Sequence, residues 1–431
     1  MAETILLAIF IAIFALLCIK RRQWAFYLLV FCLPLYVIRF QIFGLPFTLL
    51  EAMIIVLALL LIVVDGSGRK LLKNLSVAFK KIKTAGFLYP FLLLIGAATI
   101  SLVVTPDLRA GLGLWRAYFI EAGIVFILFV YLIKSREELK HIYLTLGISG
   151  LGIAIFSIGQ YLTKFGIPES YLSPEVRATA IYGYPAAVSL YLAPIFVLFF
   201  ALVLRERDFR KSFLSYFILL GAGVGLVTTK SEGAWVAVVA TCVLIGFVSL
   251  FLDNRTKKYW PAYLAAIILL AVVVMFIPQL RSNITEVLLF KDVSGDVRLV
   301  LWQGTGRLIA DRPLFGAGLA GFPELYDQYK EAKHTEYLVY PHNIFLNFWV
   351  EVGLLGLVAL LWLLINYFCR ITKLLKKEAL ALPLLGVMVT VIVYGLVDAP
   401  YFKNDLSVLW WVWIGSVVVL RAVVLSRESN K

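Results

Sequence analysis

Charge is scarce in this chain. Asp, Glu, Lys and Arg make up 15% of its 431 residues, and only 26 are acidic against 40 basic. So little charge excludes a soluble domain of ordinary composition. Cysteine is as rare: Cys18, Cys32, Cys242 and Cys369 fall inside apolar segments with neither ligand nor disulfide spacing, which leaves them as small packing residues. Histidine occurs three times, and no loop carries a closely spaced His, Asp, Glu and Cys set, so no metal site is expected. Internal repeats and low-complexity tracts are absent. No small-residue cleavage site follows the first apolar run, which is read as a helix rather than a removed leader.

Hydrophobic residues make up 62% of the chain. They cluster into blocks of about 17–25, the length that spans hydrocarbon. The expected fold is all-α: one integral membrane domain over residues 1–431 with about 12–13 transmembrane helices. Candidate spans are 3–19, 24–40, 45–64, 84–104, 112–133, 141–163, 182–204, 212–229, 233–252, 260–278, 343–369, 379–398 and 405–425. Thirteen spans put the amino terminus outside and the carboxyl terminus inside; with twelve, the first block does not cross.

The net charge of +14 is dealt out loop by loop, which argues against nucleic acid and sets orientation instead. Alternate loops carry Lys20-Arg21-Arg22, then Lys80-Lys81, then Lys134 to Lys140, then Arg205 to Lys211, then Arg255, Lys257 and Lys258, then Lys376-Lys377, and are expected to be cytoplasmic. The longest polar interval, about 279 to 342, then falls outside. Loops above about 12–15 residues are usually functional or disordered. This one has order in its pattern. Asp296 is placed to cap a helix carrying Val297, Val300, Leu301, Leu308 and Ile309, and Phe322, Leu325, Tyr326 and Tyr329 have amphipathic helical spacing.

That interval ends at His342, with Asn343 placed to cap the next helix. The positive end of a helix dipole disfavours imidazolium, so this histidine is suited to take a proton from an attacking hydroxyl. His334 reads as solvated, and His141 lies on the basic side. Arg116, Arg177, Arg298 and Arg307 lie on the outer side; permanently charged forks of this kind suit a diphosphate. Arg298 and Trp302 share a helical face. Glu51, Glu121 and Glu351, inside predicted spans, are expected to anchor arginines or bond between helices, and Asp398 has the same standing. Tyr182, Tyr184, Trp411 and Trp413 fit an interfacial belt.

These residues resemble a known family. Arg298-Leu299-Val300-Leu301-Trp302, Asp311-Arg312-Pro313-Leu314-Phe315-Gly316-Ala317-Gly318-Leu319, His342-Asn343 and Glu351-Val352-Gly353-Leu354-Leu355-Gly356 together look like the signature of the O-antigen ligase and polymerase superfamily. Weaker similarity appears at Arg177-Ala178-Thr179-Ala180 with Pro185. Thr229-Lys230-Ser231-Glu232-Gly233 departs from the family's Ser-Arg-Gly, with Lys230 a partial substitute. The resemblance implies a bacterial cytoplasmic-membrane glycosyltransferase with its site on the extracytoplasmic side. It would move a glycan from undecaprenyl diphosphate to a glycan, lipid-core or protein acceptor hydroxyl, without metal or other cofactor and with inversion. His342 would be the base, Arg116, Arg177 and Arg298 the best phosphate ligands with Arg307 beside them, and Asn343, Glu351 and Asp398 supports.

Two other classes remain. A flippase-type transporter would show internal repeats and midplane charges rather than polar residues gathered outside. A metal-dependent oligosaccharyltransferase needs acidic residues in a large first outer loop, and the segment from Gln41 to Leu45 has none.

Overall fold

In a computed structural model, residues 2–42, 44–64, 68–252, 258, 260, 261, 263–265, 293–331 and 338–429 are described. His334 and most of the span expected at 260–278 lie outside them, as does the start of the long loop. The described chain is helical apart from one two-stranded hairpin. In hydrocarbon only a helix satisfies every backbone N–H and C=O within its own segment, so apolar runs of this length have little alternative.

In chain order the helices are α1 (Ala2–Lys20), α2 (Arg22–Phe31), α3 (Leu49–Val64), α4 (Gly68–Thr84), α5 (Leu88–Ser101), α6 (Leu108–Leu114), α7 (Ala122–Leu132) and α8 (Arg136–Thr163). There follow α9 (Pro185–Arg205), α10 (Arg207–Lys211), α11 (Phe213–Thr229), α12 (Glu232–Leu252), α13 (Val293–Asp311), α14 (Phe322–Tyr326), α15 (Ile344–Leu374), α16 (Ala381–Gly395) and α17 (Asn404–Ser429). A π-helical turn, Trp115–Glu121, fuses α6 to α7. Among the described residues six helices are long and apolar enough to cross a membrane: Leu108–Leu132, Arg136–Thr163, Pro185–Arg205, Glu232–Leu252, Ile344–Leu374 and Asn404–Ser429. The expected span at 84–104 is the second arm of a helix pair bent by 101°, and four apolar helices are shorter.

The span expected at 24–40 is not one helix. Helix α2 stops at Phe31, and Pro34, which has no N–H to donate, opens a 3₁₀ turn over Leu33–Val37. Strands β1 (Arg39–Ile42) and β2 (Leu45–Thr48) then pair antiparallel, Arg39 opposite Thr48. Asp296 lies in the first turn of α13 rather than capping it, because that helix begins at Val293. The amphipathic segment after it condenses to the five residues of α14, with Phe322 stacked on Tyr326 at 4.9 Å.

Helices apolar on every face occupy the interior. The most enclosed are α9 and α17; Trp410, Trp411 and Trp413 of α17 are fully buried, with the Trp411 ring 4.8 Å from Phe126 and 5.1 Å from Phe91. Close approach of helices needs small residues. At Gly147 of α8 a Cβ would meet the Phe199 ring of α9 at 2.3 Å.

The two longest resemblance motifs dock on each other. Helix α15 kinks at Gly353 (φ 78°), and the 313–320 turn fills the kink. There Leu354 N–H donates to Leu314 O at 3.0 Å, Ala317 N–H to Val350 O at 2.6 Å and Trp349 Nε1 to Pro313 O at 2.8 Å. Glu351 closes the joint by accepting from the Ala320 N–H at 2.6 Å, so its partner is backbone rather than arginine. The kink thus fixes α15, and with it the residues at its N-terminus, against α13 and its following turn.

Charges at the other end of the bundle join helix ends. Arg136 pairs with Glu206 and with Glu378 at 2.8 Å, Arg427 with Glu378 at 3.1 Å, and Lys140 with Asp208 at 2.6 Å. Glu378 lies past the C-terminus of α15, whose 31 residues, roughly 46 Å of helix, separate it from His342.

Candidate active site

The short connection from α16 to α17, residues 396–403, gathers side chains from most of the chain. Its first three residues take one partner each. Asn343 Nδ2 donates to Leu396 O at 3.0 Å, Arg298 Nε to Val397 O at 3.1 Å, and His342 Nδ1 lies 3.4 Å from Asp398 Oδ1. Three residues expected at the site thereby converge on the three-residue stretch that ends in a fourth, Asp398.

Local geometry explains the aim of each group. Asn343 caps α15 as expected, its Oδ1 accepting from the N–H groups of Phe345 and Leu346 at 3.0 and 3.2 Å. His342, just before the cap, has φ 46°, a left-handed conformation that turns the chain sharply out of Tyr340-Pro341. Trp302, one turn after Arg298 on α13, clamps that turn by donating to Pro341 O at 2.9 Å. The shared face of Arg298 and Trp302 is what braces the histidine.

Asp398 is buried while His342 is 32% exposed, so the pair has an inner anchor and an outer working edge. Burial pushes the Asp398 carboxyl up, but the His342 contact, the Ala399 N–H at 2.8 Å and the Arg298 charge outweigh it and leave the group below its usual range. An ionised Asp398 only accepts, so the proton of a neutral imidazole sits on Nδ1 and the Nε2 lone pair is available.

Arg298 and Arg116 differ in how their charge is met. Arg116 pairs with Glu51 at 3.1 Å and Glu121 at 3.3 Å and lies 4.6 Å from the Phe47 ring centroid, so two carboxylates already oppose it; the glutamates anchor an arginine as expected. Among the described residues no carboxylate lies within ion-pair distance of Arg298. Arg177 ties the loop before α9 to the end of α11, donating to Thr229 O at 3.2 Å, and Lys230 beside it pairs with Glu175 at 2.7 Å. Arg307 is nine residues after Arg298, on the opposite face of α13 and about 13 Å further along. It donates to Tyr329 O at 2.8 Å.

Sequence reasoning missed Lys403. Its ammonium is buried with no hydrogen-bond partner among the described residues, 4.4 Å from the Tyr182 ring centroid, 5.3 Å from Tyr36 and 5.5 Å from Tyr184, with Asp405 at 4.0 Å. Burial pushes this lysine below its ordinary value while Asp405 and Asp398 oppose the shift. The cage adjoins the histidine: Tyr184 lies beside Tyr340, whose ring is 6.1 Å from the His342 ring, edge to face. Buried beside Asp398 and Glu351, the Tyr340 phenol is pushed up to about 12 and stays protonated at neutral pH. The signal was present in Asp398-Ala399-Pro400-Tyr401-Phe402-Lys403-Asn404-Asp405, a polar island between apolar runs. Two further bonds run from it: Asn404 Nδ2 to Glu51 at 3.1 Å, and Tyr182 OH to Asp405 at 3.2 Å.

A family model described as O-Antigen ligase matches residues 216–361, the segment that carries Arg298, His342, Asn343 and Glu351. The chain is also 23% identical over 282 residues to the O-antigen ligase of Salmonella typhimurium, an alignment covering 61% of this chain and 65% of that one. Residues 216–361 of the chain thus resemble the O-antigen ligase family. A second relative in the comparison, named "Putative polysaccharide ligase" in Rickettsia conorii, is 25% identical over 155 residues, 34% of this chain and 36% of that one. The chain thus spans less than two thirds of the length of either relative. The chain itself is an all-α, multi-pass membrane protein. The family match ends before Asp398 and Lys403, so the partners of its histidine come from outside the matched segment.

Proposed function

We propose that this protein transfers a glycan from an undecaprenyl-diphosphate carrier to an acceptor hydroxyl at the outer face of a bacterial cytoplasmic membrane. The observation that carries the reading is the convergence of His342 and Arg298 on Val397-Asp398. His342 Nε2 takes the acceptor's hydroxyl proton as the oxygen attacks the anomeric carbon. The bond from that carbon to the diphosphate breaks, and the diphosphate leaves with the electron pair, so attack from the opposite face inverts the configuration. Asp398 holds the imidazole tautomer and stabilises the imidazolium that forms, as a buried carboxylate does for other catalytic histidines. A contact of 3.4 Å is long, and such contacts tighten when substrate binds.

Arg298, unopposed by a carboxylate among the described residues, receives the charge that develops on the leaving diphosphate, and arginine takes the place of a metal ion. Arg177 assists at the same end, while Arg116 and Arg307 hold the frame around it. The donor is the lipid-linked glycan; glycan, lipid core and protein are the candidate acceptors. The loops rich in Lys and Arg, at the opposite end from His342, support an extracytoplasmic site. Purified protein given a radiolabelled undecaprenyl-diphosphate glycan and a panel of acceptors tests the reading. Transfer by the wild type and its loss in His342→Ala, with membrane insertion intact, is the expected result. Undiminished transfer by that variant overturns it.

A further inference from the structure

Far from His342, at the basic end of α1 and α2, two cavities share a wall. One, about 470 Å³, is lined by Lys20, Arg21, Arg22 and Lys134 beside Trp24 and Tyr131, with no carboxylate among the described residues of its lining. The other, about 800 Å³, is an apolar groove along Leu17, Leu28, Phe31 and Ile148 that begins at the same Arg21 and Trp24. Both volumes are those of ligand sites.

We propose that the two cavities form one binding site for an anionic phospholipid, its phosphodiester headgroup at Lys20, Arg21 and Lys134 and an acyl chain along the groove. Charge complementarity argues for the headgroup. Glu138, close by, accepts from the N–H groups of Lys134 and Ser135 at 2.5 and 3.1 Å and from Gln23 Nε2 at 2.7 Å, so its oxygens are taken up by donors outside the cavity's cationic side chains. Basic pockets between helices at the cytoplasmic surface suit lipid headgroups. Depth argues for a lipid rather than free phosphate. Trp24 is 63% exposed, its ring edge-on to Tyr27 at 5.9 Å, and stands where the charged cavity meets the groove. An amphipathic indole in that position marks the headgroup level of a bilayer. Leu17, Leu28, Phe31 and Ile148 then face the hydrocarbon just beyond it. The site is independent of the transfer reaction, since none of its lining residues belongs to the His342 end.

The test is native mass spectrometry of the full chain released from detergent containing phosphatidylglycerol or phosphatidylcholine with identical acyl chains. Retained phosphatidylglycerol is expected in excess over phosphatidylcholine. Arg21→Gln and Lys134→Gln should each weaken retention about fivefold, the worth of one surface charge toward an anionic lipid. Arg21→Lys, which keeps the charge, should restore it, and thermal unfolding of each variant checks that the fold is intact. Equal retention of both lipids, or no change in the two charge-removing variants, overturns the proposal. So does complete displacement of phosphatidylglycerol by millimolar inorganic phosphate, which would make the cavity an anion site with no role for the groove.

Discussion

Asp398 reaches His342 across 56 residues of chain, Oδ1 to Nδ1 at 3.4 Å, and the carboxylate is buried while the imidazole is half-exposed. The arrangement lets one group orient and the other react. Asp398→Asn keeps the shape but offers an amide that can bond the wrong tautomer. Transfer should fall about 10²-fold or more, as when a general base loses its correct protonation state, with substrate binding little changed. Steady-state kinetics on both variants checks it: His342→Ala and Asp398→Asn combined should cost little more than His342→Ala alone, because the two act as a unit.

Arg298 and Arg116 should respond differently to loss of charge. If Arg298 receives the developing diphosphate, Arg298→Ala lowers the turnover number by about 10²–10³, the cost of removing one preorganised donor. Arg298→Lys recovers part of it, since a lysine keeps the charge without the fork. Arg116→Ala instead leaves Glu51 and Glu121 facing each other without their cation, which destabilises the fold by about 3 kcal/mol. Thermal unfolding should therefore single out Arg116→Ala, and turnover should single out Arg298→Ala.

The membrane class, the α15 cap at Asn343 and the glutamate anchors of Arg116 were legible in the sequence because each follows from local chemistry: span length, cap spacing, or charge inside an apolar run. The shared face of Arg298 and Trp302 was legible for the same reason. The assembly of the site was not. Asp398 becomes a histidine partner, and Lys403 a caged cation, only when the α16–α17 connection packs against residues tens to hundreds of positions away. A helix periodicity carries no information about such pairings. Gly353 shows the converse: its motif was visible, but its task of kinking α15 to seat the 313–320 turn depends on a contact no single-chain pattern encodes.

Lys403 should act on the pH dependence of transfer. Around His342 stand Asp398, Tyr340 and Arg298; around Lys403 stand Asp405 and the three tyrosine rings, with Asp398 within electrostatic reach of both. The ammonium favours an ionised Asp398. In Lys403→Met that support is gone, Asp398 takes up a proton at higher pH and no longer holds the imidazole as its Nδ1–H tautomer, and the acid limb of the rate profile moves toward alkaline pH. Lys403→Arg should leave the limb near its wild-type position. A uniform loss of rate in Lys403→Met with no movement of the limb would reduce the lysine to a packing role.

Gly353→Ala tests whether the α15 kink is required for stability. Gly353 has φ 78° and ψ −179°, a backbone conformation open essentially to glycine alone, and a Cβ there would stand 2.5 Å from Leu314 O. The substitution must either straighten the helix, breaking the Leu354 to Leu314 and Ala317 to Val350 bonds, or hold a strained backbone against a carbonyl. Either route costs at least about 2 kcal/mol. Straightening would also shift the His342 turn relative to Trp302 and Arg298, so activity should fall even in the fraction that remains folded. A melting temperature lowered by several degrees together with reduced turnover per folded molecule is the expected outcome, and a variant with wild-type melting and wild-type turnover would show that the kink is dispensable.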